Sequence, residues 1–405
     1  MNAEFTPDAP FAARSVVVAI PSPESGAKSL TEQLQEVTQQ IQRKMQGLPS
    51  ACVFQQTVFL RDYEDRAACQ EFWRQHYGKR MPAIVYVPQA PCEGQALAVE
   101  AILAANTQDP ANSVDFVSEE LVVGHHYGIT WYFAAQQTPP WLTEDVYEQS
   151  VASFRRLNTT LLSEGVEFDN VIRTWLYIGN ITEPTFSKTE GETQRYKELN
   201  RARTDFFRKI TFFEGLMPPS WSVPAYPAST GIGGNGNTLV MSALAVKTDS
   251  QHRATIVPLE NPQQVSAFDY GAEYSPKSPK FSRALLLASG DSGVIFVSGT
   301  ASITNAESRF DDEPIAQTNQ TMENIEVLIA EENLAAHGKK GFGCRLDELA
   351  AVRVYIKRPQ DYEVIRDICE REMPNVQKIY TFSDVCRPEL LVEIEGIAFT
   401  QQRGE

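Results

Sequence analysis

Apolar residues along this chain recur at two periods, and the order in which the periods alternate repeats three times. In "SLTEQLQEVTQQIQRKMQ", Leu30, Leu34, Val37, Ile41 and Met45 fall at helical spacing, and Ser29 with Glu32 forms a capping box that starts the helix. "EDVYEQSVASFRRLNTTLLSEG" gathers Phe154, Leu157 and Leu161 on one face, and "AQTNQTMENIEVLIAEENL" does the same with Met322, Ile325 and Ile329. Strand-like runs introduce the three helices: "SVVVAI", "YGITWYFAA" and "GVIFVSGTAS". The segments after the helices also recur. "TVFLRDYEDRAACQEFWRQHYGKRMPAIVYVPQAPCEGQALAVEAILA" and "AAVRVYIKRPQDYEVIRDICEREMPNVQKIYTFSDVCRPELLVEIEGIAF" both read strand, helix, strand, strand. In the middle, "NVIRTWLYIGNITEP" is the strand, "GETQRYKELNRARTDFFRKI" the helix and "NTLVMSALAV" the last strand.

The spacings agree: 42 residues separate Val58 from Glu100, and 39 separate Val354 from Glu393. From Leu176 to Met241 the distance is 65, the surplus lying mainly in "PPSWSVPAYPASTGIGGNGN". This alignment makes Glu100, Met241 and Glu393 equivalent. The predicted plan is β–α–β–α–β–β three times, an α+β fold with helices covering one face of each sheet. The expected modules are residues 1–110, 111–255 with the inserted Pro/Gly loop, and 256–405.

Composition narrows the class. At 405 residues, with 42% hydrophobic and 22% charged, the chain can build more than one core. A formal net charge of −16 with no basic stripe argues against a nucleic-acid partner, and an anionic substrate would need its own cluster of arginines. No apolar run reaches the roughly 18 residues of a membrane helix, so no membrane partner is expected. "MNAEFTPDAPFAARSVVVAI" lacks a basic start and a long apolar core, so no signal peptide is expected. Six cysteines without CxxC spacing point to reduced thiols in a cytoplasmic protein.

Two lookalikes carry no chemistry. "GDSG" at Gly290–Gly293 reads as a turn entering a strand, without the His and Asp segments of a serine protease. "GIGGNG" at Gly231–Gly236 runs into a strand, whereas a dinucleotide fingerprint opens a helix. His76, His125, His126, His252 and His337 are scattered, so neither metal nor cofactor is expected.

The strand "LLVEIEGIAF" is more informative. Glu393 and Glu395 share one of its faces, since strand side chains alternate. Either they form a solvated face, or the strand lines a cleft where a desolvated glutamate keeps its proton at neutral pH. Arg173, Arg203 and Arg283 lie in apolar or aromatic settings, paired structurally or reserved for a ligand carboxylate.

"RPELLVEIEGIAF" with "VIFVSGTASI" resembles the Rid/YjgF family of small α+β proteins that assemble as trimers. "RTWLYIGNI", "RYKELNRAR", "PASTGIG", "ENPQQVSAFDYGAEYSPKSPKFSRA", "SGTASI" and "CRPELLVEIEG" narrow the resemblance, over about residues 120 to 400, to the Rid-derived chorismatases, which release pyruvate from chorismate. The resemblance implies three Rid-like modules forming a pseudo-trimer within one chain, hence a monomer acting on a small dianion. It puts Glu393 at the acid that protonates the enolpyruvyl methylene, Arg203 and Arg283 at carboxylate-binding positions and Tyr270 at a pocket tyrosine. Arg173 joins them as a substrate-binding candidate. Gly299 and Cys386 match the branch that makes 3-hydroxybenzoate; hydrolytic members, which make a dihydroxycyclohexadiene carboxylate, have Ala at both. On this reading Gly299 leaves room for the ring, and Cys386 occupies the place of an attacking water. An enamine or imine deaminase of the ordinary Rid kind and a non-catalytic metabolite-binding protein are the alternatives.

Overall fold

The computed structural model describes residues 14–48, 50–135, 145–189, 191–219, 221, 223–248, 254–271, 274 and 277–403. His252 and most of the segment searched for a signal peptide, residues 1–13, lie outside the described residues.

The first sheet contains β1 (Arg14–Ala19), β2 (Ala51–Leu60), β3 (Ala83–Val87) and β4 (Leu97–Ala105), with α1 (Leu30–Gln46) and α2 (Arg66–Tyr77) between strands. Its order is β1-β4-β2-β3, with only β2 and β3 parallel. The capping box forms as expected: Ser29 Oγ accepts from Glu32 N while Glu32 accepts from Ser29 N.

The second sheet begins with β5 (Asn112–Ser118), β6 (Leu121–His126) and β7 (Ile129–Ala134), before α3 (Val146–Leu162) and β8 (Val171–Gly179). A small hairpin, β9 (Pro184–Ser187) and β10 (Gly191–Gln194), leads into α4 (Arg195–Phe207), β11 (Ala228–Gly234) and β12 (Leu239–Thr248). The sheet order is β11-β8-β12-β7-β6-β5.

The third sheet opens with β13 (Ala254–Leu259), β14 (Ala284–Ser289) and β15 (Ser292–Ala301), and the short β16 (Ile303–Thr304) and β17 (Glu307–Ser308) come next. Then come α5 (Pro314–Ile329), α6 (Glu331–Ala336), β18 (Ala351–Ile356), α7 (Tyr362–Glu372), β19 (Gln377–Phe382) and β20 (Val392–Gln401). Its order is β13-β14-β15-β20-β18-β19.

The cores β1-β4-β2-β3, β7-β12-β8-β11 and β15-β20-β18-β19 share order and pairing sense, each ending in one parallel pair. This is the α+β repeat expected from the sequence. The pairs β5–β6 and β13–β14 were not expected; they extend the second and third sheets past β7 and β15. β14, "ALLLAS", is a short apolar run without alternation, which periodicity cannot assign. β13 also crosses the expected boundary at residue 255. The single helix expected over 316–334 is two, because Ala330 takes an extended conformation between α5 and α6.

Register corrects the repeat alignment. Val58 stands opposite Val99, Leu176 opposite Met241 and Val354 opposite Ile394. Glu100 therefore corresponds to Glu395, and Glu393 corresponds to Ala98 and Val240.

Alternation divides the strands between two cores. Val58 and Leu60 pack under α1 and α2 with Leu34, Val37 and Trp73, whereas Phe59 points the other way. It joins Trp131, Trp175, Phe296 and Tyr355 in one interior to which all three sheets contribute. The helices thus cover the outer faces, and the inner faces meet at seams.

Candidate active site

On β20, Val392 and Ile394 pack beneath α5 and α7. Glu393 and Glu395 consequently face the shared interior, where each is almost fully buried. Glu393 ends in a cavity of about 450 Å³ at the seam where α4 and β11 meet β15 and β20. That volume suits a small metabolite. Cys386, Gly299, Arg203, Arg283 and Tyr270 line the same cavity. Elements of two sheets thus bring together six of the seven candidates named from the sequence.

Arg173 is the exception. It lies behind the cavity wall, 2% exposed and ion-paired with Glu395, and donates to Thr230 Oγ1 at 2.7 Å. Its place on β8, opposite Thr230's neighbourhood on β11, points it at Glu395 rather than at the cavity.

Burial pushes the Glu393 carboxyl up to about 8; the nearby Glu395 charge adds to the rise and Arg173 opposes it. Gly299 lies against this carboxyl. A Cβ there would overlap Glu393 Oε1 and lie 2.9 Å from its Cδ, so a larger residue at 299 requires the carboxyl to shift. The Cys386 thiol is pushed up to about 12, chiefly by burial and then by Glu393, so it stays a neutral, weak donor.

Two arginines are built to meet anions. Arg203 is held by Asn200 Oδ1 at 2.6 Å and Ser229 Oγ at 3.3 Å, with Phe281 beneath its guanidinium. Arg283 donates to Tyr270 Oη at 2.6 Å and to the Val265 carbonyl at 2.9 Å. Arg203 Nε, Arg283 Nε and Asn200 Nδ2 are buried and find no hydrogen-bond partner among the described residues. A buried donor without a partner is costly, and a bound carboxylate supplies one.

Tyr196, Asn200 and Arg387, not singled out from the sequence, also line the cavity. Tyr196, Asn200 and Arg203 are spaced by four and three along α4, so helical periodicity applied to polar residues finds them. Arg387 stacks on Tyr274 and Tyr270, with 4.6 and 5.5 Å to the ring centres. With Lys197 it makes the cavity basic in a chain of net charge −16. "GIGGNG" has no phosphate role here: Gly233 lies against the Asp384 backbone, where a Cβ would come within 2.6 Å of the carbonyl oxygen.

Comparison with known proteins extends this picture. No family model matches the chain. It is 33% identical over 312 residues to a 3-hydroxybenzoate synthase from Streptomyces hygroscopicus, covering 74% of this chain and 84% of the relative. A chorismatase from Streptomyces rapamycinicus is 30% identical over 233 residues, covering 57% and 64%. A crystal structure of a chorismatase superposes with a TM-score of 0.66 at 19% identity, covering 95% of this chain and 98% of that one, and so shares the fold.

Proposed function

The chain belongs to the chorismatase family, and from that premise we propose that it releases pyruvate from chorismate, with 3-hydroxybenzoate as the second product. The observation that carries the reading is a carboxyl with a pKa of about 8, Glu393, enclosed with two arginines whose buried donors await an acceptor.

Arg203 and Arg283 each take one of the substrate's two carboxylates, which fixes the enolpyruvyl group against Glu393. Glu393 gives its proton to the terminal methylene, forming a C–H bond and leaving an oxocarbenium at the ether carbon. The neighbouring ring hydroxyl then attacks the carbon that bears the ether, closing an epoxide as the bond to the ether oxygen breaks; that pair becomes the ketone of pyruvate. The epoxide opens at the carbon that first carried the hydroxyl, and loss of the hydrogen on the attacked carbon aromatises the ring. Of the two protons released, one restores Glu393 and the other stays on the phenol oxygen. The two products together hold all the atoms of the substrate, so no water is consumed. Cys386, neutral and weakly polar, borders this step and leaves the ring hydroxyl as the nearest nucleophile.

The reading includes a cytoplasmic monomer, supported by seams satisfied within one chain and by six free cysteines. Among the described residues, no helix is long and apolar enough to cross a membrane.

The test is incubation with chorismate, with pyruvate quantified and the ring product identified by chromatography. Equimolar pyruvate and 3-hydroxybenzoate are expected. A non-aromatic diol would overturn the product assignment, and absence of pyruvate would overturn the reaction.

A further inference from the structure

Behind the cavity lies a second group of charged side chains that the proposed chemistry does not use. Arg353 on β18 stands opposite Glu395 and donates to its Oε1 at 2.9 Å; the Tyr355 hydroxyl donates to the same oxygen at 2.8 Å. Arg173 from β8 and the Thr230 hydroxyl from β11 both donate to Oε2. Arg353 also donates to both oxygens of Glu100 on β4, at 3.1 and 2.6 Å, to Tyr177 Oη at 2.8 Å and to Thr57 Oγ1 at 3.2 Å. Two guanidiniums and two carboxylates, all buried, thus join strands of all three sheets.

Such a cluster is a poor way to gain stability, because desolvation consumes most of the Coulombic return. Its position suggests another use. Glu395 is two residues from Glu393 on the same strand face. Thr230, which donates to Glu395, accepts from the backbone N–H of Gly299 at 3.0 Å, and Gly299 makes room for the Glu393 carboxyl.

We propose that Glu395 is a positioning residue whose charge, held by Arg173 and Arg353, keeps Glu393 in its acid form, and that the first sheet enters the reaction through Glu100 on Arg353. The proposal rests on Glu393 being the proton donor.

The surroundings of Glu393 support it. Its own strand presents Glu395, β8 presents Arg173, and α4 presents Tyr196 and Arg203. The segment before β20 presents Cys386; Tyr355 stands opposite on β18, and β15 offers the uncharged Gly299 and Ala301. Burial pushes the Tyr196, Tyr355 and Cys386 groups upward, so they stay neutral. Glu395 is therefore the negative neighbour. Burial opposes its ionisation, but Arg173, then Arg353, then the Thr230 and Tyr355 hydroxyls hold it below the usual carboxylate range. Arg173 attracts a charge on Glu393, but Glu395 already engages it.

A like charge disfavours ionisation, so Glu395→Gln lowers the Glu393 pKa and leaves Arg173 free to lower it further. A proton donor works below its pKa, so the basic limb of the kcat–pH profile moves to lower pH, by about one to three units. Turnover falls about tenfold for each unit that the limb moves below the assay pH, and acidification restores it. Glu395→Asp keeps the charge and leaves the limb near its original place. Glu100→Gln removes a negative charge from Arg353, leaves that guanidinium less balanced and moves the limb the same way by less, which serves if Glu395→Gln does not fold. Equal loss at every pH, or an unmoved limb, overturns the proposal while a dead Glu393→Gln leaves the acid assignment standing. Near-normal turnover in Glu393→Gln overturns both.

Discussion

Two seams of this molecule meet in corresponding ways and do opposite things. Between the second and third sheets, β11 approaches β15 through small residues: Ser229 N donates to Ser298 Oγ at 2.9 Å, and Gly299 N to Thr230 Oγ1 at 3.0 Å. The cavity opens there. Between the third and first sheets, β19 approaches β1, and Gln377 closes the gap. Its amide donates to the Val16 carbonyl at 2.7 Å and accepts from Val18 N at 2.9 Å. The segment after β3 completes the closure, with Cys92 N bonded to the Tyr380 carbonyl and Phe382 N to that of Ala90. Where the open seam has Glu393, the corresponding residue at the closed one is Ala98. One frame thus supports either a packed joint or a reaction chamber. Residue size and leftover donors decide which, as expected when function resides in a site rather than in a fold.

The sharpest way to break the contrast is to remove the acid. Glu393→Gln should keep the cavity's shape, lower turnover by about 10²–10⁴-fold and leave chorismate binding measurable by calorimetry. The same change should alter stability. A folded pKa of about 8 lies above that of an unfolded carboxyl, so the folded chain holds a proton that the unfolded one releases. This contribution is fully present below about pH 4 and is lost as pH rises towards 8. Denaturant titrations across that window should show a flatter pH dependence in the glutamine variant.

A smaller effect is expected from Arg203→Lys. It keeps the charge but loses the planar fork held by Asn200 and Ser229, so KM should rise roughly tenfold to a hundredfold, read in steady-state kinetics. Cys386→Ala should change rate little and divert part of the flux to the non-aromatic diol, read by chromatography, because it opens space for water beside the ring. The smallest effect belongs to the closed seam. Gln377→Ala should leave activity intact and cost about 1–3 kcal/mol of stability, seen as a few degrees in Tm, because two backbone groups on β1 lose their partner.

The contrast also marks what the sequence could carry. The order of strands and helices along each module was legible because each sheet hides one face under helices, and the periodicity of Leu30 to Met45 or Met322 to Ile329 reports that directly. Glu393, Arg203 and Arg283 stood out in the chain by their apolar settings, Tyr270, Gly299 and Cys386 entered through the family resemblance, and one cavity gathers all six candidates. Register was not legible: Glu100 and Glu393 look equivalent in the chain, and only strand pairing shows that Glu100 matches Glu395. Arg173 misled for a related reason. A lone arginine in an apolar strand looks the same whether it waits for a ligand or for a carboxylate 222 residues away. The space at Gly299 is likewise a relation between two strands, written in neither.

That both kinds of seam lie within one covalent chain has a consequence for how such a protein can change. In an assembly of identical subunits, symmetry repeats every substitution at every joint, so a mutation that hollows one joint hollows them all. Here the joints are encoded by different codons. Ala98 can stay small while Glu393 becomes an acid, and Gln377 can seal its joint without touching the one that must admit substrate. Dilution cannot part the strand that carries the acid from the helix that carries Arg203, because their association has no concentration term. The chain trades three equal chances at a site for one that it can shape without regard to the others.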